Sequence, residues 1–216
     1  MAQVFQPRSV LVLKLGTAMG LLLLVACVFV WRTVIAERPS VDEPVVQDPP
    51  FSHKHHVSDV GIDCRFCHVS VETSAFAGIP PTSTCMNCHS QLFTAQAMLA
   101  PVQESLRSGR PLKWKRIHRL PDFVYFNHSI HINKGVGCST CHGRVDQMPL
   151  MWRTQSLQMN WCLDCHRAPQ KYIRPKREIF NMDWQPPRDQ IARGKMLLAA
   201  NNVNVSRLLD CSNCHR

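Results

Sequence analysis

The chain has 216 residues, 45% of them hydrophobic, a formal net charge of +10 and 11 cysteines. The apolar content and the lack of a period-three glycine pattern exclude disordered and collagen-like chains, and the length excludes a full α/β barrel. Ten of the eleven cysteines fall in five C-x-x-C pairs, each followed at once by His.

The first element is apolar. Val10 to Trp31 carries a single charge, Lys14. As a helix these residues span about 33 Å at roughly 1.5 Å per residue, enough for a bilayer. Lys14 lies near the start, where its ammonium can snorkel. Arg8 and Lys14 precede the apolar centre and no acid precedes Glu37, so charge bias puts residues 1–9 in the cytoplasm. Residues 10–36 are expected to be a retained transmembrane anchor in a bacterial inner membrane, with the bulk of the chain on the periplasmic side. Two other readings stay open. A cleaved signal peptide would need a small-x-small site, and none is evident. Leu24-Val25-Ala26-Cys27 resembles a lipobox, but Val28-Phe29-Val30-Trp31 follows where a lipoprotein turns polar. With a retained anchor, Cys27 is an apolar residue facing lipid. Residues 37–50, rich in Pro, Val and acid, read as an extended linker.

The cysteine pairs are Cys64 and Cys67 with His68, Cys85 and Cys88 with His89, Cys138 and Cys141 with His142, Cys162 and Cys165 with His166, and Cys211 and Cys214 with His215. C-x-x-C-H is the attachment site of covalent haem c. Two thiols reach the vinyl groups on one porphyrin edge, and the next residue turns its imidazole onto the iron. Zinc ribbons, redox dithiols and disulfides do not require that histidine. With 11 His in 216 residues, five coincidences fall below about one in a million. Five covalent haem c groups are expected, with proximal iron ligands His68, His89, His142, His166 and His215. Beyond the anchor there are roughly 36 residues per haem, too few to build a large side-chain core, so the porphyrins must supply apolar mass. Secondary structure should be sparse: short helices bearing the motifs, joined by irregular chain. Gln91 to Arg107, bent at Pro101, and Arg188 to Ala200 are expected as helices without a haem motif.

The chain also repeats. Phe51-x-His53-x-x-His56 recurs 75 residues later as Phe126-x-His128-x-x-His131, whereas Gly61 and Cys64 recur 74 residues later as Gly135 and Cys138. Cys85 and Cys162, first cysteines of the second and fourth motifs, lie 77 apart. The expected organisation is a first dihaem module over 51–125, a second over 126–187, and a fifth-haem segment over 188–216.

Six histidines remain: His53, His55, His56, His118, His128 and His131. Histidines at i and i+3 share one side of a helical turn. F-x-H-x-x-H followed by C-x-x-C-H resembles the c3/c7 class of multihaem cytochromes c, a mostly irregular and α-helical fold. The resemblance implies that His53 and His128 are distal ligands of the first and third haems, and that His56 and His131 serve neighbours, the second and fourth. His118 is the choice for the fifth iron. Met148, Met151, Met159 and Met196 are its rivals, since Met is the other axial ligand and raises the potential. His55 is a spare, suited to a propionate.

The basic excess has an internal explanation. Five haems bring about ten propionates, ionised at neutral pH. The runs Lys113 to Arg116 and Lys171 to Arg177 are read as propionate partners or solvated faces. No motif supports nucleic-acid binding.

Trp114 through His128, Met148 through Met151, Trp161 through Pro169 and the terminal Cys211 to Arg216 together resemble the membrane-anchored pentahaem cytochrome c subunits (ActA) of alternative complex III, a bacterial quinol:acceptor oxidoreductase. The resemblance covers residues 50 to 216 and the single anchor. It implies an iron–sulfur subunit related to molybdopterin oxidoreductases, polytopic quinol-binding membrane subunits and a monohaem cytochrome c subunit as partners, besides membrane lipid. It implies a relay from iron–sulfur clusters to a periplasmic acceptor such as a cytochrome c or a copper protein, with no catalytic residue in the chain. The alternative is a NapC/NrfH-type quinol dehydrogenase feeding a periplasmic reductase, against which the F-x-H-x-x-H repeat and the fifth motif argue. A catalytic multihaem reductase needs an open iron and acid/base groups, whereas this chain has histidines enough to close every iron.

Overall fold

A computed structural model describes residues 7–36 and 41–215. The expectations for the cytoplasmic N-terminus and the linker fall partly on residues 1–6 and 37–40, which lie outside the described residues, as does Arg216. The chain divides into two compact units, Met1–Ser40 and Val41–Arg216.

The first unit holds α1, Pro7–Ala36, 30 residues long. Proline sits at the helix start, where its missing N–H costs nothing. Residues 8–34 are exposed throughout, and Arg8–Val34 is long and apolar enough to cross a membrane, as a membrane anchor or a signal sequence would be. Thr17 Oγ1 donates back to Leu13 O at 3.0 Å, so this hydroxyl is satisfied within the helix, as an apolar medium requires.

The second unit is helical and irregular, with no strand among the described residues; two isolated bridges, Val41 with Arg153 and Val136 with Ile173, stand in for sheet. Its helices are short: α2 (Cys64–Cys67), α3 (Thr82–His89), α4 (Ala100–Ser108), α5 (His128–Asn133), α6 (Cys138–His142), α7 (Met159–Arg167) and α8 (Gln190–Ala200). Four of these carry the first four C-x-x-C pairs. The fifth pair departs from the expected motif helix: Cys211 opens the 3₁₀ turn Cys211–Asn213 and Cys214 follows it. Asp63 caps α2 by accepting from Arg65 N at 2.8 Å, and Asn127 caps α5 by accepting from Ile130 N at 3.3 Å.

The helix expected over Gln91 to Arg107 is corrected. It starts at Ala100, after a 3₁₀ turn at Ala97–Leu99, and Pro101 occupies its first turn. Proline is tolerated there but disrupts a helix interior, so it starts this helix instead of bending it. Gly109 ends it with φ +69°.

The repeat has a physical signature. Gly61 and Gly135 both take positive φ, +82° and +94°, a conformation glycine adopts without steric cost. The first copy has one more residue than the second between its last distal-type histidine and its first cysteine. That residue is absorbed in a π-helical turn, Lys54–Asp59. Accordingly Ile62 N bonds to His56 O at 3.0 Å, six residues back, whereas Val136 N bonds to His131 O at 2.9 Å, five back. An inserted π turn thus preserves the approach to the haem motif.

Few hydrophobic side chains are buried. Val71, Ile132 and Ile179 form a small cluster with Ala77, Cys138 and Phe180 against it. The segments interlock instead through polar contacts. His128 N and Ser129 N donate to Ala75 O and Ser74 O, both at 3.1 Å, and Asn133 Nδ2 donates to Glu72 O at 2.9 Å. Lys134 Nζ reaches Asn201 O at 2.7 Å.

Helix α8 packs on the turn Pro169–Lys171 through Gly194, where a Cβ would collide with the carbonyl of Gln170. Gly→Ala inside a helix normally stabilises by about 1 kcal/mol. Here overpacking against backbone outweighs that gain, at about 1–3 kcal/mol. Gly194→Ala should therefore lower the thermal midpoint of the haem-loaded protein, and a raised midpoint would show that this contact yields freely.

Candidate haem-binding sites

The repeated histidines emerge from the ends of short helical turns, and each copy orders them with an aromatic ring. Phe51 stacks on His56 (ring centres 4.5 Å apart, 17° between planes) and meets His53 edge-on (4.9 Å, 85°). Phe126 does the same with His131 (4.5 Å, 26°) and His128 (4.7 Å, 90°). One phenyl ring therefore sets the planes of two imidazoles at nearly right angles.

Backbone carbonyls then fix the tautomer. His56 Nδ1 lies 2.8 Å from Ser52 O, His131 Nδ1 2.7 Å from Asn127 O, and His128 Nδ1 2.9 Å from Ala75 O. Among the motif histidines, His68 Nδ1 lies 2.7 Å from Gly78 O, His89 Nδ1 3.2 Å from Leu92 O, His166 Nδ1 2.9 Å from Leu208 O, and His215 Nδ1 3.1 Å from Phe123 O. A carbonyl only accepts, so in all seven the proton is on Nδ1 and the Nε2 lone pair is free. That is the form in which imidazole binds a metal, with its second nitrogen held by an outer partner.

The rings pair at one separation. His56 and His89 lie 6.2 Å apart, His128 and His142 6.4 Å, and His131 and His166 6.3 Å. Two imidazoles that shared one metal through bonds of about 2.0 Å, with about 1.1 Å from nitrogen to ring centre, would stand about 6.2 Å apart. Each pair joins a repeat histidine to a motif histidine, of the second, third and fourth motifs respectively. His53 is the fourth repeat histidine. Burial lowers its pKa to about 4, with His68 and His56 the next influences, and its Nδ1 has no hydrogen-bond partner among the described residues. Burial also lowers His142, to about 3, and His131. Neutral imidazoles are the ligating form.

The cysteines fit attachment better than redox exchange. All eleven are unpaired thiols. Burial pushes Cys138 and Cys141 up to about 12 and Cys165 up to about 11, so these are not activated thiolates. The second and fifth pairs are more open. Cys85 is half-buried and Cys88 exposed, while Cys211 is exposed and Cys214 half-buried. Cys88 lies in the last turn of α3, one residue before His89. The carbonyl of Cys214 accepts from Tyr125 N at 2.8 Å, which ties the last motif to the segment that precedes the second repeat. Among the described residues, no group of three or more His, Cys, Asp or Glu side chains is arranged to hold a bare metal ion. The histidines meet in twos, the donor set of an iron whose other four positions belong to a porphyrin. The residues present fit haem c.

Other candidates sit elsewhere. The ring of His118 stands 4.2 Å from that of His142 at 68°, too close for a metal between them. Burial lowers its pKa to about 4 and leaves Nε2 without a partner among the described residues. The ring that faces His215 among the described residues is Phe123, at 5.9 Å. Met148 is 1% exposed, whereas Met159 and Met196 are exposed and Met151 is half-buried. His55 lies 3.7 Å from the carboxylate of Asp59. In the basic run Lys171 to Arg177, read as solvated or propionate-facing, Arg174 is buried among protein atoms. Neither Arg174 nor the carbonyls that orient the histidines leave a signal in the sequence.

Comparison with known proteins agrees with this geometry. Residues 124–216 match the family model of cytochrome c7 and related cytochrome c, so this part of the chain is similar to a class of multihaem cytochromes that carries covalent haem c. More particularly, 121 residues, 56% of the chain, are 38% identical to the multihaem cytochrome c subunit of a menaquinone reductase from Nitratidesulfovibrio vulgaris. The chain spans about half the length of that relative, 55%.

Replacing His128 by Ala removes one ring of the 6.4 Å pair. Carbon monoxide should then bind one haem in the reduced protein, with the remaining haems unreactive. Absence of a new carbon monoxide complex would show that His128 does not hold iron.

Proposed function

We propose that this chain is a membrane-anchored pentahaem cytochrome c that relays electrons within a quinone-linked respiratory complex of the alternative complex III type. The observation that carries the reading is the set of imidazole pairs about 6.3 Å apart, in which every ring but that of His142 has its Nδ1 proton held by a carbonyl. Haem c, when bound, supplies a one-electron iron couple.

The chain's own residues do the rest. Cys64, Cys67, Cys85, Cys88, Cys138, Cys141, Cys162, Cys165, Cys211 and Cys214 hold the rings covalently. His68, His89, His142, His166 and His215 bind iron from the motif side. His53, His56, His128 and His131 close the first, second, third and fourth irons. For the fifth, His118 and the methionines Met148, Met151, Met159 and Met196 are the candidates. Paired imidazoles fix the iron's surroundings in both oxidation states, which keeps reorganisation small. Phe51 and Phe126 lock ring orientation, and we assign no side chain to proton transfer or substrate. Residues 10–36 anchor the chain, and the modules over 51–125 and 126–187 with the segment 188–216 lie on the periplasmic side; of the linker expected over 37–50, residues from Val41 on belong to the second unit, where Val45 N donates to Met151 O. Electrons pass from iron–sulfur clusters of a molybdopterin-oxidoreductase-like subunit, near polytopic quinol-binding subunits, to a monohaem cytochrome c or another periplasmic acceptor.

A second reading has its own support. The relative belongs to a menaquinone reductase, in which electrons would run toward quinone. Purification in mild detergent with mass identification of all subunits separates the two. The first reading expects a monohaem cytochrome c subunit, quinol oxidation, and this chain heavier than its polypeptide by five haem masses. A complex without that subunit that reduces a menaquinone analogue would establish the second. Four or fewer haem adducts would contradict the pentahaem reading.

A further inference from the structure

Arg174 carries the buried charge that the relay described above leaves unused. It is 3% exposed. Its Nη2 donates to Ser139 Oγ and Thr140 Oγ1, both at 3.1 Å, and its Nη1 to Asn181 O at 3.2 Å and Glu178 O at 3.4 Å. Ser139 and Thr140 are the two spacer residues of the third C-x-x-C pair. The guanidinium lies 4.3 Å from the ring centre of Trp184 and against Gly137, where a Cβ would overlap it. It is close enough to Cys138 and Cys141 to influence both thiols.

Among the described residues no carboxylate forms a salt bridge with it, and the Glu178 carboxylate acts on it only through space. Glu178 offers Arg174 its backbone carbonyl, while its carboxylate takes Asn181 Nδ2 at 2.8 Å and Arg177 Nε at 3.2 Å. Asp146 and Asp183 are held by Arg144, at 2.6 and 2.7 Å. A guanidinium stays protonated under all ordinary conditions. A buried cation hydrogen-bonded only to hydroxyls and carbonyls, with an aromatic face beside it, keeps much of its field, because little water screens it.

We propose that Arg174 is a positioning and tuning residue of the third haem motif, whose fixed charge raises the reduction potential of the iron held at His142. The proposal rests on the reading that Cys138, Cys141 and His142 bind haem. Reduction adds one electron to that iron and moves no proton, so the local charge falls by one, and a neighbouring cation favours the reduced form.

The test uses the full-length, haem-loaded protein in detergent and follows each haem by spectroelectrochemical titration after the haem count is read from intact mass. In Arg174→Gln one component should move down by about tenfold in its redox equilibrium constant, about 59 mV for a one-electron couple. It should be the component whose bis-imidazole signal is lost in His128→Ala. Arg174→Lys should keep that potential near its original value while lowering thermal stability through lost contacts. Thr140→Glu, which sets a carboxylate beside Nη2 with the arginine still present, should lower the same component and serves if Arg174→Gln fails to fold. Five haems with all potentials unmoved in Arg174→Gln or Thr140→Glu would overturn the proposal and leave Arg174 a structural brace. An unmodified Cys138–Cys141 segment in the parent protein would remove the haem reading itself and the proposal with it.

Discussion

Seven hydrogen bonds from imidazole Nδ1 to main-chain carbonyls organise the second unit. Each fixes a histidine in the tautomer that leaves Nε2 free, and each ties a side chain to a stretch of irregular backbone that few other interactions hold. His68 ties α2 to Gly78, His166 ties α7 to Leu208, and His215 ties the end of the chain to Phe123. Helices as short as α2 to α8 are not stable alone in water. On the proposed reading, haem attached at both ends of the C-x-x-C step and bound by the histidine after it would hold them.

That arrangement explains the small side-chain core. Burying apolar side chains stabilises by about 25 cal/mol per Å², and three clustered residues such as Val71, Ile132 and Ile179 contribute little against the ordering of such a long chain. Polar interlocks at Ala75, Glu72 and Asn201 set the register between segments. On the haem reading proposed above, porphyrins held between the imidazole pairs would supply the apolar mass. Folding and function would then have one cause, because the histidines that order the chain would be those that close the irons.

Much of this was legible in the sequence because it is written in covalent spacing. C-x-x-C-H has a single chemical use for its histidine, the apolar run at the N-terminus has a length, and the offsets of 75 and 74 residues already contain the extra residue that becomes the π turn at Lys54–Asp59. The expectation that His56 and His131 serve the second and fourth motifs came from a family resemblance; their rings lie 6.2 Å from His89 and 6.3 Å from His166. What could not be read depends on long-range placement. His118 lies against His142, an approach of distant residues that no local pattern encodes. Cys88 and Cys214 have the same spacing as every other second cysteine, yet one is exposed and the other follows a 3₁₀ turn, because the chain packed around each motif differs. Arg174 sits in a run of basic residues that looks solvated, yet Trp184 and Gly137 close over it. Pro101 starts α4 instead of bending it, because the choice depended on where the preceding chain turned.

The central claim is that imidazole pairs close the irons. Near-infrared magnetic circular dichroism of the fully loaded, oxidised protein tests it most directly, since each axial pair gives its own low-spin band. The account predicts four bis-imidazole components, a fifth that is either bis-imidazole or imidazole–thioether, and no high-spin signal. A substantial high-spin fraction, or fewer than four bis-imidazole components, would contradict it.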